Sequence, residues 1–240
     1  MTDDLARRDE LARNLEQTRE RIRVAAVDAG RSPDEVALTV VTKFFPASDV
    51  MLLAGLGVTD VGENRHQEAE AKHATCLAEG LSDIRWHFIG GLQSNKAAAV
   101  ARYADVVESV DRTKLVAPLA RGAAESGRVV DVLVQVSLDD PDSTGARSGV
   151  DPDQVETLAE SVAAQDSLRL CGVMAVAPLG ADPAPAFERL AEVASRVRAI
   201  DPAATQISAG MSGDLEAAVR SGATHVRIGS AILGMRPPIK

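Results

Sequence analysis

The chain has 240 residues, of which 45% are hydrophobic and 25% are charged, a composition typical of a globular domain. Its formal net charge of −9 argues against nucleic acid or an anionic membrane surface as the general partner. No run of about 18 uninterrupted apolar residues is present, so we expect no membrane span. The two cysteines, Cys76 and Cys171, lie far apart and match no metal-binding spacing, so we predict reduced thiols and no metal site.

The chain begins with a segment that has the pattern of an amphipathic helix. Leu11, Leu15, Ile22 and Ala26 fall on one face at helical spacing, with acidic and basic residues between them. This pattern predicts a helix over residues 1–30, with its charged face in solvent. Because the segment lacks the apolar stretch of a secretory signal, we expect a cytoplasmic protein.

From residue 37 onward, eight short apolar runs alternate with longer segments of helical periodicity. The runs are rich in Val and Ile and lack strict alternation, which indicates strands covered on both faces, as in a parallel sheet. No Gly-, Ser- or Pro-rich linker divides the chain, so we predict one domain over residues 1–240. The predicted strands are Ala37–Val41, Val58–Gly62, Arg85–Ile89, Asp105–Val110, Val129–Val136, Leu168–Val176, Thr205–Ser208 and Thr224–Ile228.

Eight strands that alternate with helices are the pattern of an α/β (β/α)8 TIM barrel, here over residues 37–240. A doubly wound open sheet is the alternative, since periodicity does not show whether a sheet closes. The open sheet would ideally carry G-x-G-x-x-G after its first strand. The predicted first strand is followed by Thr42–Pro46, which contains no glycine. The sequence therefore favours the barrel.

The loops after the last two predicted strands have the composition of an anion-binding site. Ser212 and Gly213 follow strand seven, while Gly229 and Ser230 follow strand eight, with Arg227 beside them. Barrels commonly bind phosphate at these loops, because backbone N–H groups at small residues can approach an anion there. Ser212 is also predicted to cap the helix that follows strand seven. Ordinary strand–helix turns favour Gly and Ser too, so a plain structural role stays open.

Lys43 is the second candidate functional residue. Of the five lysines in the chain, it alone lies at the carboxyl end of an apolar strand. A lysine in an apolar barrel mouth loses hydration, its pKa falls, and its neutral amine attacks carbonyl groups. A rim lysine that extends into water is the alternative. In a closed barrel, strands one and eight are neighbours, so the amine would face the phosphate loops. This arrangement fits pyridoxal 5′-phosphate, an aldehyde cofactor that carries a phosphate.

Sequence motifs stand at the ends of most of the predicted strands. They are Val41-Thr42-Lys43, Gly62-Glu63-Asn64 with Gln67-Glu68, Trp86–Gly90 with Leu92–Lys96, Gly172 with Met174-Ala175, Ser208 with Gly210–Asp214, and Val226–Gly229 with Ala231-Ile232 and Gly234. Together, and in this order, they resemble the pyridoxal phosphate homeostasis protein family (the YggS/PROSC type). The resemblance covers nearly the whole chain.

The resemblance implies a barrel like the N-terminal domain of alanine racemase (fold type III), with pyridoxal phosphate held as a Schiff base. Lys43 matches the Schiff-base lysine of the family. Asn64 falls where the family lines the cofactor pocket, and Ser208 lies beside the phosphate loops. Arg227 matches an arginine near either the pyridine nitrogen or the phosphate. The residues that match the phosphate-binding loops are Ser212, Gly213, Gly229 and Ser230.

The sequence departs from the family pattern on the expected rim of the pocket. Arg65 stands where the family often has tyrosine, and Gly91 stands where proline is common. Phe44 and Phe45 replace a more polar pair after the lysine. These departures bear on rim contacts more than on the Schiff base.

The third predicted strand and the segment after it carry further polar residues. His87 is predicted to be buried and satisfied by a backbone group, although a site role stays open. In the segment Gln93–Lys96, Lys96 is predicted to lie on the following helix and not at the Schiff base. Trp86, the single tryptophan, is predicted to lie in the core.

Three features favour a carrier of pyridoxal phosphate over an enzyme. Alanine racemase uses a second acid/base, a tyrosine supplied by its C-terminal β-domain, and we expect no such domain here because the sequence ends at Lys240. The single tyrosine, Tyr103, is predicted to lie away from the barrel mouth. An arginine near the pyridine nitrogen would disfavour protonation there and weaken the cofactor as an electron sink.

The resemblance therefore implies a protein that holds pyridoxal phosphate reversibly on Lys43 and delivers it to apo-enzymes in intracellular homeostasis of vitamin B6. A pyridoxal phosphate-dependent amino-acid racemase with Lys43 as its base is the alternative. A Schiff-base aldolase for a phosphorylated sugar is a third possibility. We expect a monomer whose partners are pyridoxal phosphate and the apo-enzymes that receive it.

Overall fold

A computed structural model describes residues 2–139 and 148–235. Met1 and Lys240, the limits of the predicted domain, lie outside the described residues. Eight parallel strands pair in sequence order and β8 pairs with β1, so the sheet is a closed barrel. This confirms the predicted (β/α)8 architecture, and the open sheet is wrong. The strands are β1 (Ala37–Val41), β2 (Asp60–Glu63), β3 (Arg85–Phe88), β4 (Val106–Val110), β5 (Val130–Gln135), β6 (Leu168–Met174), β7 (Gln206–Ser208) and β8 (His225–Ile228).

One α-helix precedes β1 and one follows each strand, within the residues that the structure describes. None of these helices is long and apolar enough to cross a lipid bilayer. The helices are α1 (Thr2–Asp28), α2 (Ala47–Gly55), α3 (His66–Ala78), α4 (Ser94–Ala101), α5 (Val116–Glu125), α6 (Val155–Ala163), α7 (Pro183–Ile200), α8 (Leu215–Arg220) and α9 (Ser230–Leu233).

Helix α1 lies against the seam of the barrel. The predicted apolar face is confirmed, because Leu11, Leu15, Ile22 and Ala26 are all buried. This face packs on α8 and α9, the two helices that follow β7 and β8. The helix ends shortly before Gly30, whose φ of +70° is a left-handed conformation that glycine adopts without strain. Helix α1 therefore stands directly behind the loops that were predicted to bind an anion.

The second strand is displaced from its predicted position. Residues Val58–Gly62 were predicted, whereas β2 spans Asp60–Glu63. The Val58 N–H still donates to Leu53 O in the last turn of α2, so the extended conformation begins later. At its other end the strand continues to Glu63, which pairs with Phe88 of β3. The remaining strands lie within one or two residues of their predicted limits.

The outer surface of the barrel is apolar, whereas its interior combines polar side chains with a small apolar cluster of Leu133, Cys171 and Met174. Val40 of β1 and Ile228 of β8 are fully buried among apolar residues of the surrounding helices. Successive side chains of a strand point to opposite faces, so Thr39 and Arg227, which pair across the seam, point inward. Polar side chains from several strands meet around Glu108 at the barrel centre. The interior therefore supplies polar side chains beneath the mouth of the barrel.

Candidate functional site

The candidate site is a cavity of about 280 Å³ at the carboxyl ends of β1 and β8. Six of the eight predicted site residues line it. Asn64 and Ser208 are the two that do not. The lining residues are Val41, Lys43, Phe45, Ile89, Met211, Ser212, Gly213, Arg227, Gly229, Ser230 and Gly234. The pairing of β1 with β8 is what brings Lys43 next to both predicted anion-binding loops.

Lys43 lies half-buried in a tight turn directly after β1. The Phe45 N–H donates to Thr42 O at 3.1 Å and closes the turn around Lys43 and Phe44. Phe44 has a φ of +72°, a left-handed conformation that is unfavourable for a residue with a side chain. Its N–H donates to Glu68 Oε1 of α3 at 2.7 Å. A carboxylate on a neighbouring helix therefore holds the strained residue next to the lysine.

A second group of contacts holds the residue on the other side of Lys43. The Lys72 ammonium, which is buried, donates to Thr42 O at 3.0 Å and to Glu63 Oε1. The Thr42 hydroxyl also donates to Glu63 Oε1, at 2.6 Å. Burial raises the pKa of Glu63, and the positive charge of Lys72 opposes this rise. We call Glu63, Glu68 and Lys72 the turn anchor.

The opposite wall of the cavity consists of the loops after β7 and β8. A Cβ added at Gly213 would meet no atom within 4 Å, so its backbone is open to a ligand. At Gly229 a Cβ would lie 3.1 Å from Val41 O, because the end of β8 passes close to β1. The hydroxyls of Ser212 and Ser230 stand beside these two glycines on the cavity wall. The wall therefore offers backbone N–H groups and hydroxyls to an anion.

The predicted helix cap after β7 is wrong. Asp214, not Ser212, is the N-cap residue of α8, and its carboxylate accepts a hydrogen bond from the Met211 N–H at 2.6 Å. The Asp214 carboxylate thus bonds within the loop and not to the N–H groups of the helix, and Ser212 lies in the loop two residues before the cap position. Helices α8 and α9 have only six and four residues, so their dipoles contribute less to anion binding than a long helix would.

Helix α1 holds the loop after β7 and the helix α9 that follows β8 from behind. Arg21 donates to Ser212 O at 3.2 Å, and Asn14 donates to Ile232 O at 2.9 Å. Arg7 donates to Leu233 O at 3.1 Å. These three donors lie on one helix and bond to main-chain carbonyls, so they fix the loop after β7 and the position of α9 without lining the cavity.

Arg227 forms the floor of the cavity and is only 4% exposed. One nitrogen of its guanidinium group donates to Ser208 Oγ at 2.6 Å, and another donates to Ala175 O at 2.8 Å. Ser208 in turn donates to Glu108 Oε2 at 2.6 Å. Ser208 is thus fully buried beneath Arg227 and orients it.

His87 continues this chain of hydrogen bonds through the barrel. Its Nδ1 lies 2.7 Å from Glu108 Oε1, and its Nε2 lies 2.9 Å from Asp60 Oδ1. The prediction of a backbone partner is therefore wrong, because both ring nitrogens face carboxylates. Burial opposes the charged imidazolium, but the two carboxylates outweigh it and raise the pKa of His87 to about 9. We call Asp60, His87, Glu108 and Ser208 the barrel-centre chain.

Glu108 is the acidic member that links His87 to Arg227. Burial alone would raise its pKa, but the hydrogen bond and charge of His87 and the charge of Arg227 lower the pKa to about 2. Glu108 therefore remains a carboxylate at neutral pH. The barrel-centre chain and Arg227 thus alternate in charge: Asp60 negative, His87 positive, Glu108 negative and Arg227 positive.

Other polar and aromatic residues singled out in the sequence lie outside the cavity. Lys96 is on α4, as predicted, and Trp86 is 3% exposed in the core, as predicted. Tyr103 is buried with its ring stacked 5.9 Å from that of His66, so it does not line the cavity. Asn64 has a buried side-chain oxygen without a hydrogen-bond partner.

Neither cysteine is in a disulfide, and the described residues contain no cluster of three or more His, Cys, Asp or Glu side chains arranged to hold a metal ion. Glu63 and Glu68 belong to the motifs that carry the resemblance, but the sequence assigned no role to them or to Lys72, so the turn anchor was not predicted. Its one signal was the spacing of Glu68 and Lys72, four residues apart on a helix, which is equally typical of an exposed ion pair.

Comparison with known proteins confirms the resemblance seen in the motifs. The sequence model of the family described as alanine racemase, N-terminal domain, matches residues 7–237. A pyridoxal phosphate homeostasis protein of Mycobacterium bovis is 43% identical over 243 residues, which cover 96% of this chain and 94% of that protein. The protein of the same name from Escherichia coli is 36% identical over 231 residues, which cover 95% of this chain and 97% of that protein.

Solved structures give the same result for the fold. The structure of PipY of Synechococcus elongatus with pyridoxal phosphate bound matches with a TM-score of 0.80 and 32% identity, covering 93% of this chain and 100% of that one. An alanine racemase of Corynebacterium glutamicum has a TM-score of 0.67 at 17% identity, covers 95% of this chain and 61% of that one, and shows the shared fold alone. On these matches, the chain belongs to the pyridoxal phosphate homeostasis protein family and has the barrel of the alanine racemase N-terminal domain.

Proposed function

We propose that this protein binds pyridoxal phosphate in the cavity at the seam of the barrel and holds it through Lys43 Nζ. The observation that carries the proposal is the arrangement of the cavity, in which a half-buried lysine faces two loops of small, hydroxyl-bearing residues. Its volume of about 280 Å³ is close to the lower end of the range for small-molecule sites, roughly 300–1,000 Å³. The residues present therefore fit an aldehyde that carries a phosphate.

When bound, pyridoxal phosphate supplies an aldehyde that condenses with a primary amine, with formation of a carbon–nitrogen double bond and loss of one water molecule. Lys43 supplies the amine, and the turn after β1 fixes its position. We assign phosphate contacts to the backbone N–H groups of Gly213 and Gly229 and to the hydroxyls of Ser212 and Ser230. The open backbone at Gly213 supports this assignment.

We assign Arg227 to the ring nitrogen and not to the phosphate. Its guanidinium group donates to Ser208 Oγ and Ala175 O, which lie outside the two phosphate loops, and this supports a place at the ring nitrogen. Ser208 then acts through Arg227 and not by contact. Asn64 stays a candidate contact, because its buried side-chain oxygen has no hydrogen-bond partner.

A carrier role in homeostasis of the cofactor, with delivery to apo-enzymes, fits this site better than racemase catalysis. A fixed positive charge at the ring nitrogen disfavours protonation there, so proton abstraction from a bound amino acid gains little. Tyr103, the single tyrosine, is stacked on His66 outside the cavity and supplies no second acid/base. The relatives named pyridoxal phosphate homeostasis protein support the same role. We further propose a monomer that acts in the cytoplasm, where buried thiols such as Cys76 and Cys171 stay reduced.

The central test is the location of the bound cofactor. The wild-type protein mixed with pyridoxal phosphate should develop a visible absorption band, and borohydride reduction should fix the cofactor mass to the peptide that contains Lys43. Lys43→Ala should show neither. Lys114→Ala, at an exposed lysine, is the matched control and should behave as the wild type. Labelling confined to another lysine would contradict the proposal.

The carrier and racemase roles are separated by two further measurements. Wild-type protein loaded with pyridoxal phosphate should restore a pyridoxal phosphate-dependent apo-enzyme to its active form. The experiment is then repeated with a trap for free aldehyde. Activation that persists indicates direct handover, whereas activation that is lost indicates release of the free cofactor. A panel of amino acids in deuterated water should show no sustained exchange at the α-carbon. Exchange at enzymatic rates that depends on Lys43 would show that the protein acts as a racemase and would contradict the carrier role.

A further inference from the structure

We infer that Glu63, Glu68 and Lys72, the turn anchor, are positioning residues that set the affinity of Lys43 for its aldehyde. This inference rests on the proposed function. None of the three lines the cavity. Their contacts converge instead on the two residues that flank Lys43 in the chain. Cofactor retention would then depend on a buried ionic group beneath the site as well as on the residues that contact the ligand.

The contacts hold the turn from both sides of the lysine. Before Lys43, Thr42 O accepts from Lys72 Nζ at 3.0 Å, and the Thr42 hydroxyl donates to Glu63 at 2.6 Å. After Lys43, the Phe44 N–H donates to Glu68 at 2.7 Å. The two halves of the anchor are themselves joined, since Lys72 Nζ lies 3.7 Å from Glu68 Oε1. The Lys43 backbone is therefore held between two anchored residues.

The backbone of Phe44 shows why an anchor is needed. With a φ of +72°, this residue occupies a region that favours glycine. A residue with a side chain persists there only when its surroundings hold it, and such residues are found mainly at functional sites. The bond from its N–H to Glu68 is charge-assisted and thus stronger than a neutral one. Loss of the bond would let the turn relax and displace Lys43.

The chemistry of the group suits this role better than a stabilising one. Buried ion pairs contribute little net stability compared with apolar residues of the same volume, so a stability role alone gives no reason to bury charges here. The anchor also keeps its own amine out of the reaction. Lys72 is 6% exposed and its Nζ is bonded to Glu63, which leaves Lys43 as the lysine on the cavity wall.

The test compares two substitutions of one residue. Glu68→Ala removes the acceptor for the Phe44 N–H, whereas Glu68→Gln keeps a side-chain oxygen at the same place. Titration with pyridoxal phosphate, followed by the visible band, should give an affinity about tenfold weaker for Glu68→Ala, because a charge-assisted hydrogen bond is lost. Glu68→Gln should stay within about threefold of the wild type. Glu70→Ala, an exposed carboxylate on the same helix, is the matched control and should bind as the wild type.

A second substitution separates positioning from a general loss of structure. Phe44→Gly adopts the left-handed conformation without strain, so the turn needs the anchor less. Glu68→Ala should therefore weaken binding much less in the Phe44→Gly background than in the wild-type background. Equal losses in both backgrounds would overturn the positioning role.

A readout without any cofactor completes the test. Amide hydrogen exchange of the turn peptide should be about tenfold faster in ligand-free Glu68→Ala than in the wild type, while peptides of the barrel strands are unchanged. If the wild type itself fails to bind pyridoxal phosphate, the proposed function is wrong, yet this exchange measurement still tests the anchor. If Glu68→Ala keeps both wild-type affinity and wild-type exchange, the anchor inference is wrong although the proposed function stands.

Discussion

Two charged groups lie beneath the residues that line the cavity, and they differ in what they hold. The turn anchor beneath Lys43 bonds to main-chain atoms of Thr42 and Phe44. The barrel-centre chain beneath Arg227 bonds to a side chain, through Ser208. Most members of both groups are buried, whereas Glu68 and Asp60 are partly exposed. Hydrogen bonds among the buried members are strong, and the loss of one partner there is costly.

The two groups also differ in how they respond to pH. The barrel-centre chain includes His87, whose pKa of about 9 is within reach of mildly alkaline solution. The turn anchor contains a lysine and two carboxylates and no histidine. The comparison therefore indicates that the arginine side of the cavity contains a histidine that titrates in mildly alkaline solution, a residue type that the turn anchor lacks. Three predictions test the comparison between the lysine side and the arginine side of the cavity.

The largest effect is expected from Lys72→Met. This substitution leaves the buried Glu63 carboxylate without its counter-charge, and the free energy of unfolding should fall by about 3–5 kcal/mol. Urea denaturation at neutral pH measures it. Adding Glu63→Gln should restore much of the loss, because both charges are then removed. Lys114→Met, at an exposed site, is the control. If Lys72→Met alone is as stable as the wild type, Lys72 does not act as the counter-charge of Glu63 in the turn anchor.

The second effect is a loss of stability on the arginine side between pH 6.5 and 9. Because the pKa of His87 is raised from 6.5 to about 9, its contribution is complete below pH 6.5 and is lost as the pH rises through about 9. The loss should reach about 3 kcal/mol in unfolding free energy, at 1.36 kcal/mol per pKa unit. Asp60 and Glu108 face His87 and stay ionised in this range, since both have lowered pKa values.

The matched variant for this pH dependence is His87→Gln. It should be less stable at pH 6.5, but its stability should change little up to pH 9. Burial lowers the pKa of His225, which affects stability only below the range tested. Both the wild type and His87→Gln contain the buried thiols, so the difference between their unfolding free energies cancels the contribution of the thiols. A wild-type protein whose stability stays level to pH 9 would contradict a charged His87 at neutral pH.

The smallest effect is expected at the back of the phosphate loops. Arg21 is about 40% exposed where it pairs with Glu216, and it bonds to Ser212 O at 3.2 Å. Arg21→Ala should lower the free energy of unfolding by no more than about 1 kcal/mol, since exposed ion pairs contribute little. Its affinity for pyridoxal phosphate, measured by the visible band, should exceed that of Glu68→Ala. If Arg21→Ala binds pyridoxal phosphate more weakly than Glu68→Ala does, the contacts behind the phosphate loops matter more for affinity than the turn anchor.

Periodicity alone predicted much of the architecture. The Val- and Ile-rich runs identified all eight strands, and the apolar spacing of α1 identified its buried face. Short helices were less predictable. After β7, Ser212 and Asp214 both have side chains that cap helices, and the sequence does not show which of the two lies at the first turn. Boundaries such as that of β2 depend on how the preceding helix ends.

The candidate cavity was predictable because its parts lie at the ends of strands, where barrels place their sites. The networks beneath it were not. Glu68 and Lys72 have the spacing of a surface ion pair, and only the position of Glu63 on β2 makes them a buried group. The partners of His87 come from β2 and β4, so its environment depends on side chains that meet only after the barrel has closed.

The closure of the barrel by β1 and β8 has a consequence for biosynthesis. Lys43 is made on the ribosome long before Gly229 and Ser230, because it precedes β2 to β8 in the sequence. A partly synthesised chain therefore has the reactive amine without the phosphate loops of the final strand. In the proposed site, capture of the ligand must therefore await the pairing of β8 with β1, and a ligand that binds only the closed barrel stabilises that form by mass action.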